Sequence, residues 1–463
     1  MRTATLAAVL LTLVVAGCLV STPSQAAVRT RATLRFSTTA PIAGESFVAS
    51  GRVSTRFSRP VTLRVLSAGR WKVVKRVATG RTGVFRIRGL ATTAARHYSL
   101  LVPAIRRSGR VYAKVATPRR LVRPVSQSGS VEVLPQVAQP GRVPAAADLA
   151  RGTVVARFSP ARPGRVVTFR RQLADDSWAV VGSARQRVDG TAYLFGPARR
   201  GAFRATAGAR AGAPAVSTAS ATGPWALEFS DEFSGSALDT TKWSYREGKA
   251  PSRTRATNDR RAVSFGSGTL RMQVKRDPAA PRSRYLNGQI STDGKFAYTY
   301  GTFSARMRFA PGRGQHGSFW LQSPTYGSFP GRPGLAGAEV DVAEFFGKGY
   351  PRGGFANFLY YLDKRGENVK VGGVWPRAGG LLRSRDTFWN SFHVYTVKWT
   401  PKGYTFYIDG RVVYSTSQAL SHTDQFLILS LLTSDWELPE FRFRGAGTMA
   451  VDWVRVWRTP VAG

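Results

Sequence analysis

The sequence predicts an all-β protein in which two small immunoglobulin-like β-sandwiches precede a larger C-terminal β-sandwich. Short runs alternate apolar and polar residues with the period of two that a strand requires. Gly, Pro and Asp-Gly turn signals separate these runs, and no stretch sustains the 3.6-residue period over a helix length. The chain has 463 residues, too many for one ordinary core. At roughly 150 residues per domain it should hold about three.

The first two sandwiches are read from a divergent repeat. Val61-Thr62-Leu63-Arg64, Trp71-Lys72-Val73-Val74 and Gly83-Val84-Phe85-Arg86 form the first copy. Val167-Thr168-Phe169-Arg170, Trp178-Ala179-Val180-Val181 and Gly190-Thr191-Ala192-Tyr193 form the second. Units of this length with strand runs between turn signals fit immunoglobulin-like modules over residues 28–124 and 130–215. Trp71 and Trp178 are expected in the two cores. A Pro/Ser/Gln-rich stretch near 124–140 separates the copies, and Ala/Gly/Ser/Thr-rich sequence near 207–222 follows the second.

At the N-terminus, Arg2 precedes an apolar run from Leu6 to Val15 and then small polar residues. Residues 1–26 therefore read as an export signal. The run is short for a membrane span, which needs about 20 apolar residues, and no later segment resembles one. A secreted protein is expected, with no transmembrane helix after processing. Two outcomes stay open: cleavage after Ser24-Gln25-Ala26, or lipidation of Cys18 in Val15-Ala16-Gly17-Cys18 to give a cell-surface lipoprotein. Cys18 is the sole cysteine, so intramolecular disulfides and cysteine-based chemistry are excluded.

The net charge is +42, and its distribution is uneven. Residues 1–223 hold 36 Lys/Arg against 6 Asp/Glu, a net of +30, whereas residues 224–463 hold 32 against 20, a net of +12. Such a polycation attracts polyanions. Anionic cell-wall polymers are the expected partners of the N-terminal modules. Nucleic acid is not expected, because the basic residues are dispersed through strands without a nucleic-acid fold signature.

From Trp225 onward aromatics become dense and acids appear. Gly301 to Phe309, Val394 to Trp399 and Tyr404 to Ile408 read as strands, the last joined through Asp409-Gly410 to Arg411 to Tyr414. The decisive segment is Gly337-Ala338-Glu339-Val340-Asp341-Val342-Ala343-Glu344-Phe345-Phe346-Gly347. On a strand Glu339 and Asp341 share one face, and Val340 and Val342 the other. Glu344 falls on the wrong face unless a β-bulge lies between Asp341 and Glu344. Three crowded acids are unfavourable for folding, but glycoside hydrolysis uses such a pair, one carboxylate as nucleophile and one protonated carboxyl as acid. An exposed acidic strand face or a cation site is the alternative.

The E-x-D-x-x-E pattern of EVDVAEFFG resembles the catalytic strand of glycoside hydrolase family 16. Phe229-Ser230-Asp231-Glu232-Phe233 with Leu238 to Trp243, Tyr300 to Arg306, and Val451 to Val456 extend the resemblance across about residues 225–458. It implies a concanavalin A-like jelly-roll sandwich over residues 224–460, with Glu339 as nucleophile, Asp341 as its electrostatic helper and Glu344 as acid and base. By the same resemblance Trp320, in Phe319-Trp320-Leu321, and Trp436 would contact sugar, and His393 would hold structure. Glu232, the Gly268 backbone and Asp452 match positions that bind a structural Ca²⁺, whose oxygen ligands suit that ion; catalysis itself requires no cofactor.

Two departures stand out. The family's Trp-Pro before Phe-Trp-Leu is replaced by Gln315-His316-Gly317-Ser318, which makes His316 a further sugar-binding candidate, and Asn357 to Tyr361 lacks a histidine common there. The expected function is a secreted retaining endo-β-glycosidase acting on a β-linked polysaccharide, with β-1,3- or β-1,3-1,4-glucan the leading substrate. A transglycosylase using the same site and a non-catalytic surface glycan-binding protein are the rivals.

Overall fold

The computed structural model describes residues 26–458 except 146–147, 199, 224, 249–254 and 281–283. The export signal and Cys18 lie outside the described residues. Within them the chain is almost wholly strand. A single short α-helix, Pro333–Ala336, and three 3₁₀ turns are the helical elements among the described residues, and no helix there is long and apolar enough to cross a membrane.

The chain forms two compact units. The first comprises residues 1–126 with 209–214, the second 127–208 with 215–463. In the first unit a three-stranded sheet faces a five-stranded one. Alternation works as expected here: Val61 and Leu63 enter a core with Phe47, Phe85 and Leu100, while Thr62 and Arg64 point away. Trp71 corrects the sequence reading. It is 37 % exposed, because Arg70–Ala78 is the edge strand and packs one side only. The Arg64 guanidinium lies over its ring at 5.1 Å.

The second unit begins with another pair of small sheets, of three and four strands, around Phe158, Val167, Phe169 and Phe203. Trp178 again sits on an edge strand, half-buried under Arg204 at 4.3 Å rather than in the core. The sequence stretch expected to separate the copies is partly strand, Ser128–Leu134, paired with Arg151–Ser159. Residues beyond it pack on the C-terminal sandwich. Leu134, Val137, Val155 and Tyr193 share one buried cluster with Trp225, Tyr407 and Trp457. Trp225 Nε1 donates to the Val133 carbonyl at 3.0 Å.

The C-terminal sandwich is built from an eight-stranded and a ten-stranded sheet among the described residues. In the first, Met449–Arg458, Gly301–Arg308, His393–Thr400, Gly403–Ile408 and Arg411–Thr416 follow one another. In the second the order runs Tyr285–Ser291, Gln425–Leu432, His316–Gln322, Glu339–Phe345, Phe355–Leu362 and Asn368–Val374. Neighbours are antiparallel throughout these two runs. Phe303, Met307, Val397, Trp399, Val454 and Val456 from one sheet meet Phe319, Leu321, Val340, Leu427, Leu429 and Leu431 from the other. Each fully buried side chain of this kind contributes roughly 1.5–3 kcal/mol. His393 lies in the first sheet, fully buried, with Nδ1 2.8 Å from Asp409 Oδ2. It holds structure, as expected.

Candidate active site

Because every second residue of Phe319, Leu321, Val340, Leu427, Leu429 and Leu431 is committed to the core, the intervening residues are turned to the opposite face of the sheet. On the strand His316–Gln322 these are His316, Ser318, Trp320 and Gln322. On the neighbouring strand the register pairs Ser318 with Glu344, Trp320 with Asp341 and Gln322 with Glu339, while Phe319 pairs with Ala343. Val342 is therefore the extra residue. The register slips between Asp341 and Glu344 on the other side too. The bulge the sequence required is present, and it places Glu339, Asp341 and Glu344 opposite a single row of polar partners.

Glycines bracket this strand for steric reasons. Gly337 has φ 78° and a Cβ there would stand 2.1 Å from Ser323 Cβ; Gly347 has φ 88° and its Cβ would meet the Gly312 carbonyl oxygen at 2.2 Å. Only glycine fits either place.

Each carboxyl has a distinct setting. Gln322 Nε2 donates to Glu339 Oε2 at 3.2 Å, and Ser318 Oγ to Glu344 Oε1 at 3.3 Å. Asp341 is buried and has its two glutamate neighbours on either side. Burial, then Glu344, pushes the Glu339 carboxyl up to about 7, opposed by the Arg246 guanidinium and the Gln322 amide. Asp341 is raised well above its ordinary range by burial and by both glutamates. Glu344 is raised by burial, with His316, Lys370 and Ser318 pulling the other way. Three mutually repelling carboxyls with incomplete compensation hold a proton more tightly than free carboxyls do. One group can then donate while another stays anionic.

The surroundings were only partly legible. Trp320 is half-buried, donates from Nε1 to Ser430 Oγ at 3.1 Å and has Arg246 5.6 Å from its ring centroid. Trp436 is 58 % exposed and lines a pocket of about 210 Å³ with Arg313, Phe346 and Tyr350. His316, the further sugar-binding candidate, has Nδ1 2.8 Å from Glu437 Oε1 and Nε2 3.9 Å from Glu344 Oε1. The sequence reading missed Ser318, Gln322, Tyr326, Tyr360, Lys370, Glu437 and Arg246. Ser318 and Gln322 lie two residues either side of Trp320, so period two could have found them. Tyr326, raised to about 12 by burial and by Glu339 and Asp341, and Lys370, facing Asp341 and Glu344, arrive from other elements and left no local signal.

The Ca²⁺ positions do not fit a cation. Glu232 takes a bidentate contact from Arg455, Nε at 2.9 Å and Nη2 at 2.8 Å. Asp452 is paired with Arg306 and accepts the Ala145 N–H at 3.2 Å. Both carboxylates already face guanidinium charge, and no cluster of three His, Cys, Asp or Glu able to hold a metal occurs among the described residues. Accordingly, 5 mM EDTA or added CaCl₂ should leave Tm within about 1 °C in differential scanning fluorimetry. A calcium-dependent rise of several degrees would show that the arginines yield to the ion.

Paired, electrostatically interacting carboxyls beside aromatic side chains are the arrangement that glycoside hydrolysis uses. Residues 250–455 match the model described as Glycosyl hydrolases family 16. Glucan endo-1,3-beta-glucosidase A1 of Niallia circulans is 27 % identical over 273 residues, 50 % of this chain and 38 % of that protein. Keratan-sulfate endo-1,4-beta-galactosidase of Sphingobacterium multivorum is 26 % identical over 262 residues, 53 % and 58 % of the two chains. Beta-glucanase of Rhodothermus marinus is 30 % identical over 206 residues, 41 % and 65 %. The chain thus spans less than two-thirds of the length of each of these three relatives.

Proposed function

We propose that this protein is a retaining endo-β-glycosidase that cleaves a β-linked polysaccharide, with β-1,3- or β-1,3-1,4-glucan the first substrate class to try. The observation that carries this reading is the bulged strand, which sets Glu339, Asp341 and Glu344 in one row with Gln322 and Ser318 donating to the two glutamates. Glu339, anionic beside Arg246, attacks the anomeric carbon. The bond to the leaving oxygen breaks as Glu344 gives that oxygen its proton. A water then attacks the same carbon from the vacated side and passes a proton to Glu344, and the ester bond to Glu339 breaks, so configuration is retained. Asp341, buried between them, tunes both.

The names of two similar proteins specify glucan and one specifies the β-1,4-galactosidic bonds of keratan sulfate. The testing panel therefore includes laminarin, barley β-glucan, agarose and keratan sulfate. Reducing ends should appear with at least one of these, with NMR of the first product showing the β-anomer. An initial α-anomer would overturn the retaining mechanism. Trp436→Ala should raise KM on the order of 3- to 10-fold with kcat little changed, as expected for one aromatic contact worth roughly 0.5–1.5 kcal/mol. Steady-state kinetics on the same glycan checks it.

The export signal read over residues 1–26 supports a secreted enzyme, and the basic residues of 28–215 support docking to anionic wall polymers. Retention of the intact chain by such polymers, reversed by salt, is the corresponding measurement.

A further inference from the structure

His316 opens the strand His316–Gln322, two residues before Ser318 and on the same face, and it meets a carboxylate at each ring nitrogen. On one side Nδ1 lies 2.8 Å from Glu437 Oε1. Glu437 is itself fixed: its Oε2 accepts the Ser434 N–H at 3.1 Å and the Ser434 hydroxyl at 2.8 Å, and the residue is buried. On the other side Nε2 lies 3.9 Å from Glu344 Oε1. A neutral imidazole has one donor and one acceptor nitrogen. Either tautomer would turn a lone pair toward a carboxylate, whereas the imidazolium places N–H on both sides.

The ring is also held in place. Trp436 stacks on it at 6.0 Å and 21°, and Phe346 lies 5.6 Å from its centroid. The side chain is 13 % exposed, as is that of Glu344. Nδ1 is already engaged by Glu437, so a sugar hydroxyl would have only Nε2 to meet.

We propose that His316 is a positioning residue rather than a sugar ligand: a standing imidazolium, clamped by Glu437, whose charge sets the proton affinity of Glu344. The inference rests on the reading of Glu344 as acid and base. Around Glu344 stand His316 and Ser318 from the adjoining strand, Tyr360 from Phe355–Leu362, Lys370 from Asn368–Val374, Glu437 from the loop after Gln425–Leu432, and Asp341 and Glu339 on its own strand. Lys370 is exposed and screened by water; His316 is the sheltered cation. When Glu344 gives its proton to the leaving oxygen, the carboxylate it becomes is stabilised by His316. The same charge keeps Glu344 anionic until water needs a base. His316 keeps its own proton throughout, so no further acid or base is consumed.

Burial alone would lower the His316 pKa, but Glu437 and then Glu344 outweigh it and raise it to about 9. Four histidines occur in the chain, so ¹⁵N-histidine NMR of the full-length protein can resolve this one, assigned by its loss in His316→Gln. The imidazolium signal should persist at pH 8 in the wild type, and in Glu437→Gln the ring should turn neutral below pH 7. In kinetics on laminarin, or on the panel glycan that is cleaved, His316→Gln should move the alkaline limb of kcat/KM upward by roughly one pH unit, the scale set by an opposite charge within about 4–6 Å. His316→Lys, which keeps a cation, should leave the limb nearer its original place.

A neutral His316 at pH 7 in the wild type would overturn the proposal without any substrate. So would an unshifted limb in His316→Gln with a changed KM alone, which marks a sugar contact. Full activity in Glu339→Ala would instead sink the underlying assignment of the site, while the NMR titration still reads the Glu437 clamp.

Discussion

Glu339→Ala should lower the release of reducing ends by about 10⁴-fold or more, the scale on which loss of a covalent nucleophile is felt, while the protein folds as before or slightly more stably. The two halves of that result have one cause. Glu339, Asp341 and Glu344 repel one another on one sheet face, and burial raises the proton affinity of all three. Removing a carboxyl relieves repulsion in the resting protein and deletes the group that attacks. Circular dichroism and thermal melting check the first half, and reducing-end assays the second. Azide should restore turnover in the variant and give the α-glycosyl azide, since a small anion occupies the space of the lost side chain. Activity within tenfold of wild type would remove Glu339 from the mechanism.

The largest expected effect on stability lies away from that face. Arg306 and Asp452 have side chains only 1 % and 5 % exposed. Arg306 also donates to the Gln139 carbonyl at 2.6 Å and the Val143 carbonyl at 3.0 Å. Arg306→Leu leaves Asp452 buried without its counter-charge and takes the Arg306 donors from the Gln139 and Val143 carbonyls. Breaking one side of a buried pair costs about 3–5 kcal/mol, so Tm should fall on the order of 10 °C. The double variant Arg306→Leu/Asp452→Leu should recover part of the loss, because no uncompensated carboxylate remains. Equal melting of single variant and wild type would show that the pair contributes little.

How much of this could be read beforehand depends on whether the determining interaction is local. Period two placed the strands around Gly301, Val394 and Tyr404 closely, since alternation is written in successive residues. The bulge was legible because the face parity of Glu339, Asp341 and Glu344 cannot be reconciled otherwise. Edge position was not legible. Trp71 reads like a core aromatic until the sheet order shows that its strand has one neighbour. The arginine partners of the Ca²⁺ candidates were hidden for a related reason. Glu232 and Asp452 are where the resemblance puts them, but the arginines that neutralise them stand 223 and 146 positions away. His316 combined both situations: its departure from the family pattern was visible, whereas its contact with Glu437 spans 121 positions.

The cluster joining Leu134, Val137, Val155 and Tyr193 to Trp225, Tyr407 and Trp457 bears on how such a chain can be rearranged by evolution. The second small sandwich supplies part of the wall against which the large one closes, so each depends on the other to cover its apolar surface. A recombination breakpoint between them would strip apolar surface from both products. One placed before residue 127 would leave that shared wall whole and separate the first unit only from its residues 209–214.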